Sequence, residues 1–215
     1  MVKKTLQCFF VLTLACTTSL FGANRPLVAH ATRIIKGRGV QLRVPPNQHK
    51  IFSNVGPEAN EYQANGYFVA GSTSALGVSQ FIAVPFTVGS TGRTLSLVQV
   101  PMQWYGSGHN TVQLCLYSDS SGAPGSQIGN CVTKNNLPAF STTDTLTTFN
   151  FSAQGLALTA STPYWIVGQE PSSGANTDAE MVWCGESTVL GYNVSSGGWF
   201  TFNPDLESVM AVFGI

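Results

Sequence analysis

The chain has 215 residues, enough for one domain with a sizeable core, or one domain plus a tail. It is 43% hydrophobic and only 9% charged, against about 25% charged in an ordinary soluble domain. So little charge, with many Gly, Ser, Thr and Asn residues, argues against a cytosolic protein and suits an extracellular β-protein whose outer faces carry hydroxyls and amides. The net charge of zero hides an asymmetry. Arg25, Arg33, Lys36, Arg38, Arg43 and Lys50 precede residue 61; from residue 61 onward only Arg93 and Lys134 are basic, against nine acids. A basic leader before an acidic globule argues against nucleic acid as a partner. The leader is read either as a solvated linker or as a tether to an anionic cell surface or to the acidic domain itself.

Residues 1–23 have the layout of a secretory signal peptide. Lys3 and Lys4 are its positive start, residues 6–15 its short apolar run, and Ser19, Gly22 and Ala23 the small residues that follow. The run is too short to span a bilayer. Ala29-His30-Ala31 fits the small-x-small cleavage rule but lies far from it. Thr13-Leu14-Ala15-Cys16 is a poor lipidation box, because an aliphatic residue belongs at Thr13, so lipidation at Cys16 is not expected. No other segment is apolar enough to cross a membrane as a helix. The expected location is outside the cell, released or surface-attached.

Residues 24–60, broken by Pro26, Pro45, Pro46 and Pro57, read as an extended leader, with one short strand over 40–44. From 61 to 215 the pattern is strand and turn. Candidate strands are 67–70, 80–88, 94–105, 111–117, 127–133, 147–152, 156–159, 164–168, 180–185, 191–194, 199–203 and 208–215. Pro85 suggests an edge or a bulge in its strand. Alternation puts Val98, Val100, Met102 and Trp104 on one face, Val112, Leu114 and Leu116 on another, and Phe149 with Phe151 on a third. Many short strands with Gly-rich turns predict an all-β antiparallel sandwich or barrel.

Cys8 and Cys16 lie in the export signal, leaving Cys115, Cys131 and Cys184. A hairpin centred on Ala123 sets Cys115 opposite Cys131, where β-carbons about 4.5–5.5 Å apart can be bridged. Cys184 is then left over, and reads as a small buried hydrophobe.

Chemistry is sparse. His109 is the one histidine beyond the leader and sits in a Gly-rich turn. No Gly-x-Ser-x-Gly elbow, His/Cys zinc cluster, phosphate loop or dinucleotide fingerprint occurs. Asp178 with Glu180, and Asp205 with Glu207, are the pairs a glycan-cleaving enzyme would need, but such pairs at strand ends are usually solvated. Asp119, Asp144 and Asp178 are loop acids that could serve calcium, without EF-hand spacing; no other cofactor is expected. Trp104, Tyr105 and Trp199 border Gly-rich turns and are candidate platforms for stacking on a sugar ring, although core packing is the commoner fate of such rings.

Five segments together resemble the choice-of-anchor group of exported bacterial β-sandwich domains. They are Ile82-Ala83-Val84-Pro85-Phe86-Thr87 with Leu95-Ser96-Leu97-Val98; Leu116-Tyr117-Ser118-Asp119 with Gly122-Ala123-Pro124-Gly125; Leu158-Thr159-Ala160; Thr162-Pro163-Tyr164-Trp165; and Gly197-Gly198-Trp199. The resemblance implies a jelly-roll-like sandwich displayed outside the cell, and carries no catalytic residue with it. Members commonly end in a Pro-Glu-Pro sorting tail. Here the chain stops at Val212-Phe213-Gly214-Ile215, so release from the cell is expected. The expected function is a non-catalytic extracellular binding or surface-matrix domain whose ligand is a glycan or cell-surface polymer. A structural or adhesive protein without a small ligand is the alternative, and a glycan-cleaving enzyme the third reading.

Overall fold

The computed structural model describes residues 28–30, 42–55, 65–71, 73–74, 79–106, 108–140, 146–171, 180–186, 192–194, 198–201 and 207–215. Its strands, in chain order, are β1 (Val28–His30), β2 (His49–Ser53), β3 (Asn65–Ala70), β4 (Phe81–Thr87), β5 (Arg93–Val100) and β6 (Met102–Trp104). Next come β7 (Thr111–Asp119), β8 (Pro124–Asn135), β9 (Thr147–Asn150), a 3-10 turn (Ser152–Gln154), β10 (Ala157–Leu158) and β11 (Pro163–Gln169). The remainder are β12 (Glu180–Glu186), β13 (Tyr192–Val194), β14 (Trp199–Thr201), β15 (Glu207–Ser208) and β16 (Ala211–Gly214).

The chain is an all-β antiparallel sandwich. One sheet has the order β14-β13-β4-β11-β7-β8. Opposite it lie β10-β5-β16-β2, with β9 on β5, and β1-β3-β12-β15, with β6 on β12. The main core fills the space between. It takes Ile82, Val84 and Phe86 from β4, Val112, Leu114 and Leu116 from β7, and Ile166 from β11. Facing them are Leu95, Val98 and Val100 of β5, Met102 of β6, and Met210 and Val212 at the chain's end. The alternation read from the sequence is therefore the inward face of these strands. Phe149 and Phe151 are fully buried together, as their shared face predicts.

Three features differ from the sequence reading, each for a local reason. The strand expected over 94–105 is two strands. Pro101 has no N–H for the ladder, and β6 leaves β5 to pair with β12 through Met102↔Trp183 and Trp104↔Met181. Pro85 lies in a strand with neighbours on both sides: it pairs with Trp165 of β11, and β13 pairs with β4 over Phe81 to Ala83.

The third difference is the leader, which contributes two strands, β1 and β2, to the sheets. Leu42–Val44, the described part of the expected strand over 40–44, is not a strand. The strand is β2, launched by a turn in which the Gln48 N–H donates to the Pro45 carbonyl (3.2 Å). Asn47 there adopts a left-handed φ of 60°. Proline at the second position and asparagine at the third suit a type II turn. β2 then pairs with β16, from Ala211↔Ser53 to Gly214↔His49, and β1 pairs with β3 through Val28↔Tyr67. His49 and Lys50 are exposed while Ile51 and Phe52 pack on the main core, a break in alternation that hides the strand in the sequence.

Candidate functional site

The hairpin of β7 and β8 anchors the region where the candidate residues lie. Its turn is built from Ser121 and Gly122, with φ of 56° and 82°. Both values are positive, as the two-residue turn that matches strand twist requires. The Ser120 N–H donates to the Ala123 carbonyl (2.7 Å), and the Ala123 N–H to that of Ser120 (3.3 Å). From Thr111↔Asn135 to Leu114↔Val132 the register is that of a hairpin centred on Ala123, and Cys115 is bridged to Cys131 with α-carbons 4.2 Å apart. Immediately beyond, the register shifts to Leu116↔Ile128.

The bulge thus formed in β8 is held from outside. Gln154 reaches it with both ends of its amide: Oε1 accepts from the Asn130 N–H (2.7 Å) and Nε2 donates to the Asn130 carbonyl (2.8 Å). Gly129 takes φ 67°, and a β-carbon there would stand 2.6 Å from the Leu156 side chain. Only glycine fits both the dihedral and the approach.

Directly paired residues share a face of the sheet. Away from the main core, the six-stranded sheet carries Ala83, Trp165 and Val167, with Phe81, Tyr117 and Trp199 packed against them. Tyr117 belongs to β7 and Trp199 to β14, four strands away in the sheet order. At about 4.8 Å per strand a flat sheet would hold their backbones about 19 Å apart. Their ring centroids are 6.5 Å apart, edge to face. The sheet therefore curls about this face, and a second, smaller aromatic cluster fills the curl.

The polar groups on the same face include amides, hydroxyls and one carboxylate. The Tyr117 hydroxyl donates to Gln169 Oε1 at 3.5 Å, and Gln169 Nε2 lies 3.9 Å from the Cys131 sulfur. Both contacts are at the long limit of hydrogen bonding. Asp119 is the single charged residue on this face of β4, β7, β8 and β11. It accepts from the Trp165 indole N–H (2.8 Å) and from the Gly122 N–H (3.0 Å), which ties the hairpin turn to β11.

Burial raises the Tyr117 pKa above its usual 10.0, because the phenolate loses hydration. An acid whose folded pKa is raised contributes stability that is complete below the unfolded pKa and is lost as pH rises through the folded one. Stability is therefore expected to fall above about pH 10, and to fall less steeply in Tyr117→Phe. Urea midpoints measured across that range check this; identical slopes for the two chains would contradict it.

The sequence-predicted residues do not form one site. Trp104 is half-buried against the main core. Tyr105, 44% exposed, stands edge-on to Phe68 (4.8 Å between centroids) and tilted against Phe140 (5.6 Å). Trp199 lies in the curl instead. The three candidate platforms thus belong to separate clusters, and the ring beside Trp199 is Tyr117. Asp119 is held as a turn and indole acceptor; Asp144 and Asp178 lie outside the described residues, as do the side chains of Cys184, Glu180 and Glu207, and Asp205 altogether. Among the described residues no three His, Cys, Asp or Glu side chains group as metal ligands would. His109 is exposed in its turn, its carbonyl accepting from the Thr111 N–H (2.7 Å). Among the described residues no helix is long and apolar enough to cross a membrane. No protein-family model, curated protein or solved structure matches the chain.

Proposed function

We propose that the chain is a non-catalytic extracellular domain that binds a glycan or a cell-surface polymer. The observation that carries this is the curled face, where half-buried Tyr117 meets half-buried Trp199 through its ring and the side-chain amide of Gln169 through its hydroxyl. Flat rings pack on the C–H faces of sugars, and amides both donate to and accept from hydroxyls. The weak partners of Gln169 leave it able to exchange them for a ligand. Export through residues 1–23 and the display implied by the choice-of-anchor resemblance both suit such a role.

The test is a glycan array probed with the purified full chain, in calcium and in chelator, beside Trp199→Ala. Reproducible binding is expected, at least about tenfold weaker in the variant, since a ring of this size contributes more than 1 kcal/mol when it stacks and is covered. The chelator arm reports whether calcium shapes the site. No binding to any glycan would remove the proposal and leave a structural or adhesive surface protein. Export is checked by N-terminal sequencing of the secreted product, and a full-length cytosolic chain would refute it.

A further inference from the structure

We infer that the ligand is an uncharged polysaccharide lying across the strands of the curled sheet, bonded by Thr133, Gln113 and Gln169 and stacked toward Trp199; this rests on the glycan reading above. Register brings the three polar residues into one row. Thr133 pairs with Gln113, and Gln113 with Gln169, so β8, β7 and β11 each contribute one side chain to the same face. On the far side of the sheet the pairs Phe81↔Val194 and Val194↔Trp199 lead across β4, β13 and β14 to the indole. At about 4.8 Å per strand the polar row is about 10 Å long, close to a disaccharide.

Two observations select the ligand class. The only carboxylate on this face of β4, β7, β8 and β11 belongs to Asp119, and two donors already occupy it. Among the described residues, no cation shares this face of β4, β7, β8 and β11 to compensate an anionic polymer. A charged chain would lose hydration without gaining a partner, whereas hydroxyls match amides and a threonine hydroxyl. Second, β7 and β11 are paired on both sides, β7 with β8 and β11, β11 with β4 and β7. Their backbone groups are spent in the ladder, so a peptide cannot join at β7 or β11 as an added strand, and recognition there falls to side chains. Thr133 is exposed and Gln113 and Gln169 half-buried, so the row is open to solvent. Among the described residues the Gln113 amide has no hydrogen-bond partner.

The experiment uses the full chain in affinity electrophoresis against neutral laminarin, hydroxyethylcellulose, galactomannan and dextran, and against anionic polygalacturonate and heparin. Thr133→Ala and Gln113→Ala are run beside it, with thermal midpoints to show that each is folded; Thr133 is exposed, so its variant keeps the test sound if the other fails to fold. The expected result is retardation by at least one neutral polymer, weakened about 2- to 12-fold by each substitution, the worth of one hydrogen bond. Retardation by the anionic polymers alone would overturn this inference and leave the glycan reading standing. Neutral binding that neither variant weakens would place the site elsewhere. Retardation by none of the six would overturn both.

Discussion

A chain that begins at residue 61 is expected to lose its cooperative unfolding transition and to aggregate, whereas one that begins at residue 42 retains the transition. The seemingly detachable leader supplies β2, which lies beside the C-terminal strand. Ile51 and Phe52 pack on the main core, with the Phe52 and Phe86 rings 6.3 Å apart. Val55 joins Val209, Ala211 and Phe213 in a separate cluster on which Leu42 also packs. Polar groups add a latch. Asn54 Oδ1 accepts from the Met210 N–H (2.7 Å), its Nδ2 donates to the Ser208 carbonyl (3.3 Å), and buried Ser96 is bonded to both Gln48 and the Phe213 carbonyl. Full burial of such a side chain is worth about 1.5–3 kcal/mol; buried Val55 approaches that and half-buried Ile51 and Phe52 supply part of it, a loss comparable to the low end of a typical total stability of about 5–15 kcal/mol. Truncation also strips β16 to a bare hydrophobic edge, a template for pairing between copies. Near-ultraviolet circular dichroism and urea denaturation of the two chains check this. A chain from residue 61 with the full-length midpoint would refute it.

The same truncation explains where sequence reasoning reached and where it stopped. Val112, Leu114 and Leu116 alternate cleanly, as do Val98, Val100 and Met102, because each strand has one face on the main core and a period of two records that. The Cys115–Cys131 bridge was equally open to reading, since hairpin geometry couples residues close in sequence. In β2 the exposed pair His49 and Lys50 is followed by two apolar neighbours, and the partner of that strand is at the other end of the chain. No local pattern announces such a pairing.

The candidate site was less legible for a related reason. Trp104 and Trp199 both stand beside Gly-rich turns, and proximity to a turn is a one-dimensional cue. The curl of the sheet decides which rings meet, and it brings Tyr117 to Trp199 while Tyr105 joins Phe68 and Phe140. Asp119 shows the reverse. A loop acid suggests calcium, but one oxygen accepts from the turn amide of Gly122, three residues on, and the other from an indole that only the register of β7 against β11 could place.

Removing the disulfide as Cys115→Ala/Cys131→Ala is expected to cost about 3 kcal/mol, lowering the melting midpoint by about 6–12 °C. The bridge closes a segment with a sequence separation of 16, which sets the entropy released to the unfolded chain. It also stands where the hairpin register breaks, between Leu114↔Val132 and Leu116↔Ile128. Without it the bulge keeps its Gln154 clamp and Gly129, but β8 could slide to continue the register of its open end. That slip is of two residues and would set polar Asn130 opposite core-facing Leu116 in place of Ile128, so the register should hold, more loosely. The single substitutions should differ. Cys115 is fully buried, so serine there places a hydroxyl in an apolar layer; Cys131 is half-buried, and a hydroxyl there can reach water. Cys115→Ser is accordingly expected to be the less stable, by about 1–3 kcal/mol. Thermal melts of the three variants check this, with hydrogen exchange at the Gln127 and Ile128 amides reporting the loosened register. Equal midpoints for the two serine variants would show that the bridge acts on the unfolded chain alone and that the buried position has room for a hydroxyl.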